Sequence, residues 1–362
     1  YGRTTAFLYG WKCLIVMDPG LTAALAIGLA SYVSYATGLT PSAEKVVAIG
    51  TIATLAAVNI RGVRVGAGVL RVFTIVKLLL VIGLIVWGFA LQLGEWNHFV
   101  PFVAQRPGSA PLPAALAGGL VAAFFSFGGW WDSAKLAGEV KDPARTLPRA
   151  LVIGVTIVLL LYILTSAVFL YLVPLERVTS GEAFAAQAGE VLFGGAGGRI
   201  FAWIVVISVV SSLASLMMAA PRVYYAMAKD GVFPAGMAAV HPRFGTPARA
   251  IVLQSVLASI LVLVGSFSQI IAYFIFATVG FVALTVVAVV VLRRTAVATP
   301  GYRIPAYPLP VLIFLVLVLV LLVLLAGQNP RQAAFGVLAV ALGFPVYRLA
   351  FRHARTHERD DT

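Results

Sequence analysis

The chain has 362 residues, of which 61% are hydrophobic and only 11% charged, with a mean hydropathy of +1.00. A soluble domain carries roughly 25% charged residues, so this composition excludes a water-soluble globular protein and indicates an integral membrane one. A net charge of +13 and a pI near 10.2 would ordinarily suggest a nucleic-acid partner, but the basic residues gather at the ends of apolar segments, which assigns the excess to membrane insertion and leaves no nucleic-acid partner expected.

A spanning helix needs about 20 mostly apolar residues. Ten segments qualify, near residues 7–35, 46–60, 72–91, 114–134, 150–173, 200–227, 250–265, 269–292, 309–327 and 332–351. If they alternate and the first begins inside, the internal ends carry Arg3, then Arg61, Arg64 and Arg71, then Lys135, Lys141, Arg145 and Arg149, then Arg222, Lys229, Arg243 and Arg249, then Arg293, Arg294 and Arg303, then Arg348, Arg352, Arg355 and Arg359. Lys45, Arg106, Arg177, Arg199 and Arg331 fall outside, and Lys12 and Lys77 lie within spans. This is the positive-inside pattern, and it predicts a multi-pass protein of the plasma (inner) membrane with both termini in the cytoplasm. The chain begins with Tyr1 and enters a span within a few residues, which predicts that an amino-terminal portion is missing.

In the first span, Asp18 lies beside Pro19 in VMDPG, with Lys12 six residues earlier. Asp18 is expected at a kink, and Lys12 either pairs with it or snorkels. Cys13 is the single cysteine, which excludes an internal disulfide and a CxxC redox or metal site. In the third span, Lys77 in FTIVKLLLVIG lies six residues past Arg71, about 9 Å along a helix at 1.5 Å per residue. A charged lysine at such depth costs about 2.5–3.5 kcal/mol on insertion scales. It therefore faces a cavity or a partner, or reaches back to the headgroups.

The fourth span, AALAGGLVAAFFSFGGWW, ends in FFSFGGWWDS at residues 124–133. Glycine costs ~1 kcal/mol against alanine in a helix interior, so paired glycines predict an interrupted helix. Two readings stand. One is an unwound segment that exposes carbonyls and half-helix ends to a substrate, as in many secondary transporters. The other is close helix packing through Gly118, Gly119, Gly128 and Gly129. The following KDPARTLPRA offers Asp142 as an N-cap and Pro143 at the first helical position, and residues 176–192 read as a short surface helix. In the sixth span, Ser208, Ser211, Ser212 and Ser215 share one helical face; their hydroxyls either solvate a cation or back-bond to the helix. Thr278 is a mid-depth polar residue of the eighth span, and the proline-rich residues 301–310 predict a hinge into the ninth.

His98, His241, His353 and His357 all lie in loops or the tail, so a membrane metalloenzyme built on clustered histidines is excluded and no metal or cofactor is expected. No paired acid and base share a depth, which argues against an enzyme, and no repeated filter argues for a channel.

The segment FFSFGGWWDSAKLAGEVKDPARTLPRALVIG resembles the sixth membrane helix and following loop of the amino acid, polyamine and organocation transporter superfamily, close to its L-type amino acid transporters and bacterial permeases. YGWKCLIVMDPG is similar to that family's third helix, FTIVKLLLVIG to its fifth, APRVYYAMAKDGVFP to the end of its eighth and YRIPAYPLP to the loop before its eleventh. The resemblance implies an all-α inverted-repeat bundle with a broken helix at 114–134, in which the ten spans stand for helices three to twelve of a twelve-helix fold. Residues 1–91 would be the remainder of the first repeat, 114–292 the second repeat and 309–351 two additional helices. Helices one and two would be absent, and with them the carboxylate-binding break, so the 362-residue chain alone is expected not to transport. Carried over, Phe125 would be an aromatic gate, Ser126, Phe127, Gly128 and Gly129 the unwound segment that accepts a substrate ammonium, Trp130 the far wall and Thr278 a pocket-facing polar residue. Lys77 matches a lysine that stands in for a sodium ion in sodium-independent members, with Ser211, Ser212 and Ser215 as candidate partners. Asp18 departs from the Arg that often precedes Pro-Gly there. The implied function is a sodium-independent amino acid permease or exchanger, working with substrate and bilayer and no obligatory protein partner; a carrier of polyamines or another organic cation, or a proton-coupled importer of a small amine, is the alternative.

Overall fold

The computed structural model describes residues 1–62, 67–100, 111–131, 140–174, 184–294 and 304–350. Every regular element among them is helical, as composition predicts. Seven helices are long and apolar enough to cross a membrane, and Thr74–Ala90, Leu112–Ser126 and Ala248–Val264 are shorter apolar ones. Each of the ten hydropathy segments falls on one of these helices. The chain divides into two compact units, one of residues 1–66, 205–284 and 325–362 and the other of residues 67–204 and 285–324.

In the first unit, α1 (Arg3–Lys12) continues through a π-helical turn (Cys13–Met17) into α2 (Asp18–Thr37). The kink expected at Asp18 is thus an i→i+5 bulge immediately before it. Pro19 sits in the first turn of α2 but inside the continuous span Arg3–Thr37, where its missing N–H leaves the helix one bond short. Gly38, at φ 74°, ends α2 in the left-handed conformation and returns its N–H to the Ser34 carbonyl at 2.7 Å. Helix α3 (Pro41–Ile60) starts on Thr40, whose hydroxyl accepts from the Ala43 N–H at 3.4 Å. Helices α2, α3 and α9 (Ala248–Val264) pack mutually through small buried residues: Ala23, Ala26 and Ala30, Ala48 and Ala56, Ala250 and Ala258. Without a hydrophobic drive in lipid, such small residues let helices approach until dispersion holds them. A core of Phe7, Leu14, Met17, Tyr224 and Phe233 closes around the π turn.

In the second unit, α4 (Ala67–Ala90) and α6 (Pro143–Leu172) pack on each other, and α7 (Phe184–Phe193) packs on α6. Their shared core is Leu84, Ile85, Val168, Tyr171, Leu172 and Leu192. A short 3-10 turn (Trp96–Phe99) is pinned to the end of α6: the Glu95 N–H donates to the Tyr171 carbonyl at 2.9 Å, and the His98 Nδ1–H lies 3.1 and 3.0 Å from the carbonyls of Leu170 and Tyr171. The helix expected within residues 176–192 is present from Phe184, with Ala186 and Ala188 fully buried, so it is docked by its alanines; residues 176–183 lie outside the described residues. Helix α6 begins at Pro143 as expected, but the cap differs. Asp142 is left-handed (φ 47°) and makes no side-chain cap bond; its carbonyl accepts from the Thr146 N–H at 2.9 Å instead.

The remaining elements are α5 (Leu112–Ser126), α8 (Gly195–Lys229), a 3-10 turn (Ala235–Ala238), α10 (Phe267–Arg294), α11 (Leu309–Gln328), α12 (Pro330–Ala341) and α13 (Gly343–Ala350). Ahead of α11, residues 304–308 form the non-helical turn expected of the proline-rich hinge, and the Arg293 guanidinium lies 4.1 Å from the Tyr307 ring. Residues 301–303 lie outside the described residues.

Candidate functional site: a helix break in one unit and a buried polar cluster in the other

Helix α5 ends at Ser126 and is followed by a turn over residues 127–129. The Phe127 N–H still reaches the Ala123 carbonyl, but the Gly128 N–H tightens onto Phe125, both at 3.0 Å. The two glycines do different work. Gly129 has φ +103°, a conformation that a Cβ disfavours. Gly128 has ordinary angles, yet a Cβ there would lie 2.9 Å from the Phe125 carbonyl oxygen, so it is needed for the chain to fold back on its own helix end. Residues 132–134 of the interrupted segment lie outside the described residues.

The terminal carbonyls of a helix have no intrahelical partner and carry the negative end of its dipole. Here the Ser126 carbonyl accepts the Tyr162 hydroxyl of α6 at 2.7 Å, and the Ser126 hydroxyl back-bonds to Ala122 at 2.8 Å. Aromatic rings surround the break. Phe127 meets Tyr162 edge-on at 5.0 Å, Phe124 stacks on Trp131 at 6.0 Å, and Trp130 stands edge-on to Trp131 at 5.4 Å. Phe125 is half-buried and Trp130 exposed. Carbonyls turned out of a helix end among π faces suit a cation better than an anion. Lys77, on α4 of the same unit, is half-buried.

The other sequence-predicted residues belong to the first unit. Ser212 and Ser215 donate back to the carbonyls of Ser208 and Ser211 at 3.3 and 2.9 Å, so part of the expected polar face is used within α8 itself. Thr278 of α10 is 2% exposed, and its hydroxyl oxygen has no hydrogen-bond partner among the described residues.

A second polar cluster surrounds the π turn, and most of it escapes sequence reading. Asp18 is fully buried and hydrogen-bonded to the Tyr224 hydroxyl of α8. That hydroxyl also lies 3.5 Å from the Cys13 carbonyl, and Tyr273 of α10 donates to the Ile15 carbonyl at 3.4 Å. Lys12, 2% exposed, neither snorkels nor pairs with Asp18. Its ammonium lies 3.3 Å from Met17 Sδ and over the rings of Tyr9 (4.6 Å) and Phe281 (5.5 Å). Gln254 of α9 donates to the Thr22 hydroxyl at 3.2 Å. The sequence signal was Asp18 itself, an ionisable group in an apolar run; its partner is 206 residues away. Among the described residues no three His, Cys, Asp or Glu side chains gather as a metal site.

Residues 1–344 match the family described as amino acid permease. The serine/threonine exchanger SteT of Bacillus subtilis (strain 168) is 32% identical over 299 residues, covering 82% of this chain and 67% of that protein. The b(0,+)-type amino acid transporter 1 of Mus musculus is 28% identical over 306 residues, covering 82% of this chain and 61% of its own length. The large neutral amino acids transporter small subunit 2 of Homo sapiens is 26% identical over 302 residues, 81% of this chain and 56% of its own. The chain thus spans between 56% and 67% of the relatives it matches. Broken apolar helices, a multi-pass composition and a match over nearly the whole length together identify the chain as a member of the amino acid permease family, within the amino acid, polyamine and organocation superfamily.

Proposed function

We propose that the protein carries amino acids across the cytoplasmic membrane by alternating access, as a sodium-independent permease or exchanger with both termini in the cytoplasm. The observation that carries this reading is the break after α5: a helix end with φ +103° at Gly129 and aromatic neighbours, the kind of discontinuity that secondary transporters place at their substrate. In this reading the carbonyls of Phe127 and Gly128 receive the substrate ammonium, Ser126 and Gly129 set the shape of the unwound segment, Phe125 closes over it and Trp130 walls it. The Tyr162 bond holds the Ser126 carbonyl in place. Thr278 supplies a buried hydroxyl with hydrogen-bonding capacity to spare. Lys77 stands in for a coupling cation, and Ser211, Ser212 and Ser215 take part in coupling. The names of the relatives support the substrate class, since they are an exchanger of serine and threonine and transporters of amino acids. No obligatory protein partner is proposed, although the human relative is by name a small subunit.

The test is uptake into proteoliposomes, with labelled leucine competed by alanine, arginine, glutamate and serine, in sodium and again in choline. Competition by amino acids with undiminished uptake in choline is expected. Strict sodium dependence would sink the Lys77 assignment, and competition by polyamines but not amino acids would replace the substrate class.

A further inference from the structure

We propose that the end of the first unit at which α1 begins and α8 stops is a docking surface for anionic phospholipid headgroups, gripped by arginine and lysine side chains laid on aromatic rings. Four helices have an end here: α1 starts at Arg3, α8 stops at Lys229, α9 starts at Ala248 and α13 stops at Ala350. One core ties them together. Phe7 of α1 lies 5.4 Å from the ring of Phe233, just past α8, and 5.2 Å from that of Tyr347 of α13. Ala250 of α9 and Met237 of the 3-10 turn (Ala235–Ala238) join the same cluster. Because apolar helices run away from this core, their shared end stands at the level of the headgroups.

Cations stand around the rim of that core. Arg222 and Lys229 of α8 share a helical face with Tyr225 between them. Arg249 is in the first turn of α9, its Nη1 3.9 Å from where a Cβ on Gly236 would lie, and Arg348 is in the last turn of α13. All four are exposed, and among the described residues none meets a carboxylate within 4 Å. Between Arg222 and Arg249 the sequence offers a single acid, exposed Asp230. Two of the cations rest on rings instead: the Arg348 guanidinium lies 4.3 Å from the Phe344 ring and the Lys229 ammonium 4.9 Å from the Tyr225 ring. A ring takes the face of a guanidinium and leaves the N–H groups of its edge in the planar fork that fits a phosphate. Helix α13 adds the apolar half of the surface. Val346 and Tyr347 pack on the core, while Phe344 and Leu349 are 40% and 70% exposed beside Arg348, the mixture that an interfacial helix presents to a leaflet. Elsewhere in the unit a lysine is used differently: Lys45 of α3 donates to the Leu263 carbonyl of α9 at 2.8 Å and is consumed in the fold. Insertion requires only positive charge at this end, whereas a headgroup site also requires rings and apolar side chains beside the charge. Only the identity of the leaflet depends on the topology proposed above.

Native mass spectrometry of the purified protein, titrated with phosphatidylglycerol or with phosphatidylcholine, tests this. The wild type should retain phosphatidylglycerol in preference, and less so as salt is added. Arg348→Gln and Lys229→Gln should each lower that preference roughly fivefold, the effect of one cation near an anionic surface. Arg331→Gln, which removes an exposed cation at the start of α12, should leave it unchanged. Arg348→Lys keeps the charge without the fork and should fall between the wild type and Arg348→Gln. Equal retention of the two lipids, or a preference left intact by both glutamine variants, would overturn the proposal; if one of them does not fold, the other and Arg348→Lys decide. Displacement of phosphatidylglycerol by inorganic phosphate at matched concentration would also overturn it, in favour of a free anion. No amino acid enters these measurements, so failure of the proposed transport and failure of the lipid site are told apart.

Discussion

Two of the interrupted apolar helices among the described residues are interrupted in opposite ways. After α5 the interruption is made by glycines at residues 128–129, ends the helix, and leaves Gly128 and Ser126 exposed. In the first span it is made without a glycine, through CLIVM, keeps the helix going, and is fully enclosed: Cys13, Leu14, Val16 and Met17 are all buried. The difference teaches what each serves. Turned-out backbone in lipid must find a donor. At the π turn the donors are built in: the Asp18 N–H closes the i→i+5 bond to the Cys13 carbonyl, and tyrosines from α8 and α10 add to it. At the α5 break one carbonyl is served by Tyr162, and the aromatic-lined remainder is where a substrate's own donors would enter under the proposed function. One interruption is a finished joint and the other an unfinished site.

Substitutions can break that contrast. The largest effect is expected from Gly128→Leu, whose side chain starts 2.9 Å from the Phe125 oxygen. Substrate binding should be lost, measured by ligand-induced thermal stabilisation, while membrane insertion persists; unchanged affinity would reduce the break to a packing interface. Gly129→Ala meets open space but a φ of +103°, so it should cost about 1–2 kcal/mol, visible as a lower denaturation midpoint. Lys77→Ala tests the coupling role proposed for Lys77. Uptake should fall roughly tenfold, equivalent to about 1.4 kcal/mol, and wild-type uptake should persist in choline; a normal rate would leave snorkelling as the better account. Tyr162→Phe deletes the donor to Ser126, and the break should loosen by about 1 kcal/mol, read as faster amide exchange over residues 127–130. The smallest effect belongs to Tyr273→Phe, because its bond to Ile15 is long at 3.4 Å and about 0.5 kcal/mol is the most it should cost.

The same contrast explains what was legible in the sequence. The α5 break announced itself because its cause is local: two glycines in an apolar run. The ten spans and the start of α6 at Pro143 were readable for the same reason, since hydropathy and proline geometry act within a few residues. The π turn is marked only by Asp18 and Pro19 just after it, where a kink was expected; the i→i+5 form of that kink was not readable. CLIVM reads as ordinary helix, and what holds the extra residue lies 206 to 258 positions further on. Asp18 could be flagged as anomalous, with Lys12 as a candidate partner, but Tyr224 could not be foreseen. Lys12 was expected to pair with Asp18 or to reach the headgroups, and instead chose sulfur and ring faces that only the folded chain brings together. The Asp142 cap failed more subtly: residue and place were right, but a left-handed backbone aimed its carbonyl, not its side chain, into the helix.

Cys13 lends the molecule an experimental use. It is the single cysteine of these 362 residues and is fully buried inside the enclosed turn, out of reach of aqueous thiol reagents. Within these residues a thiol reagent therefore meets a quiet background. A cysteine placed at exposed Ser126 would be a reactive handle at the break, and its alkylation rate with and without an amino acid would report how a ligand changes access there.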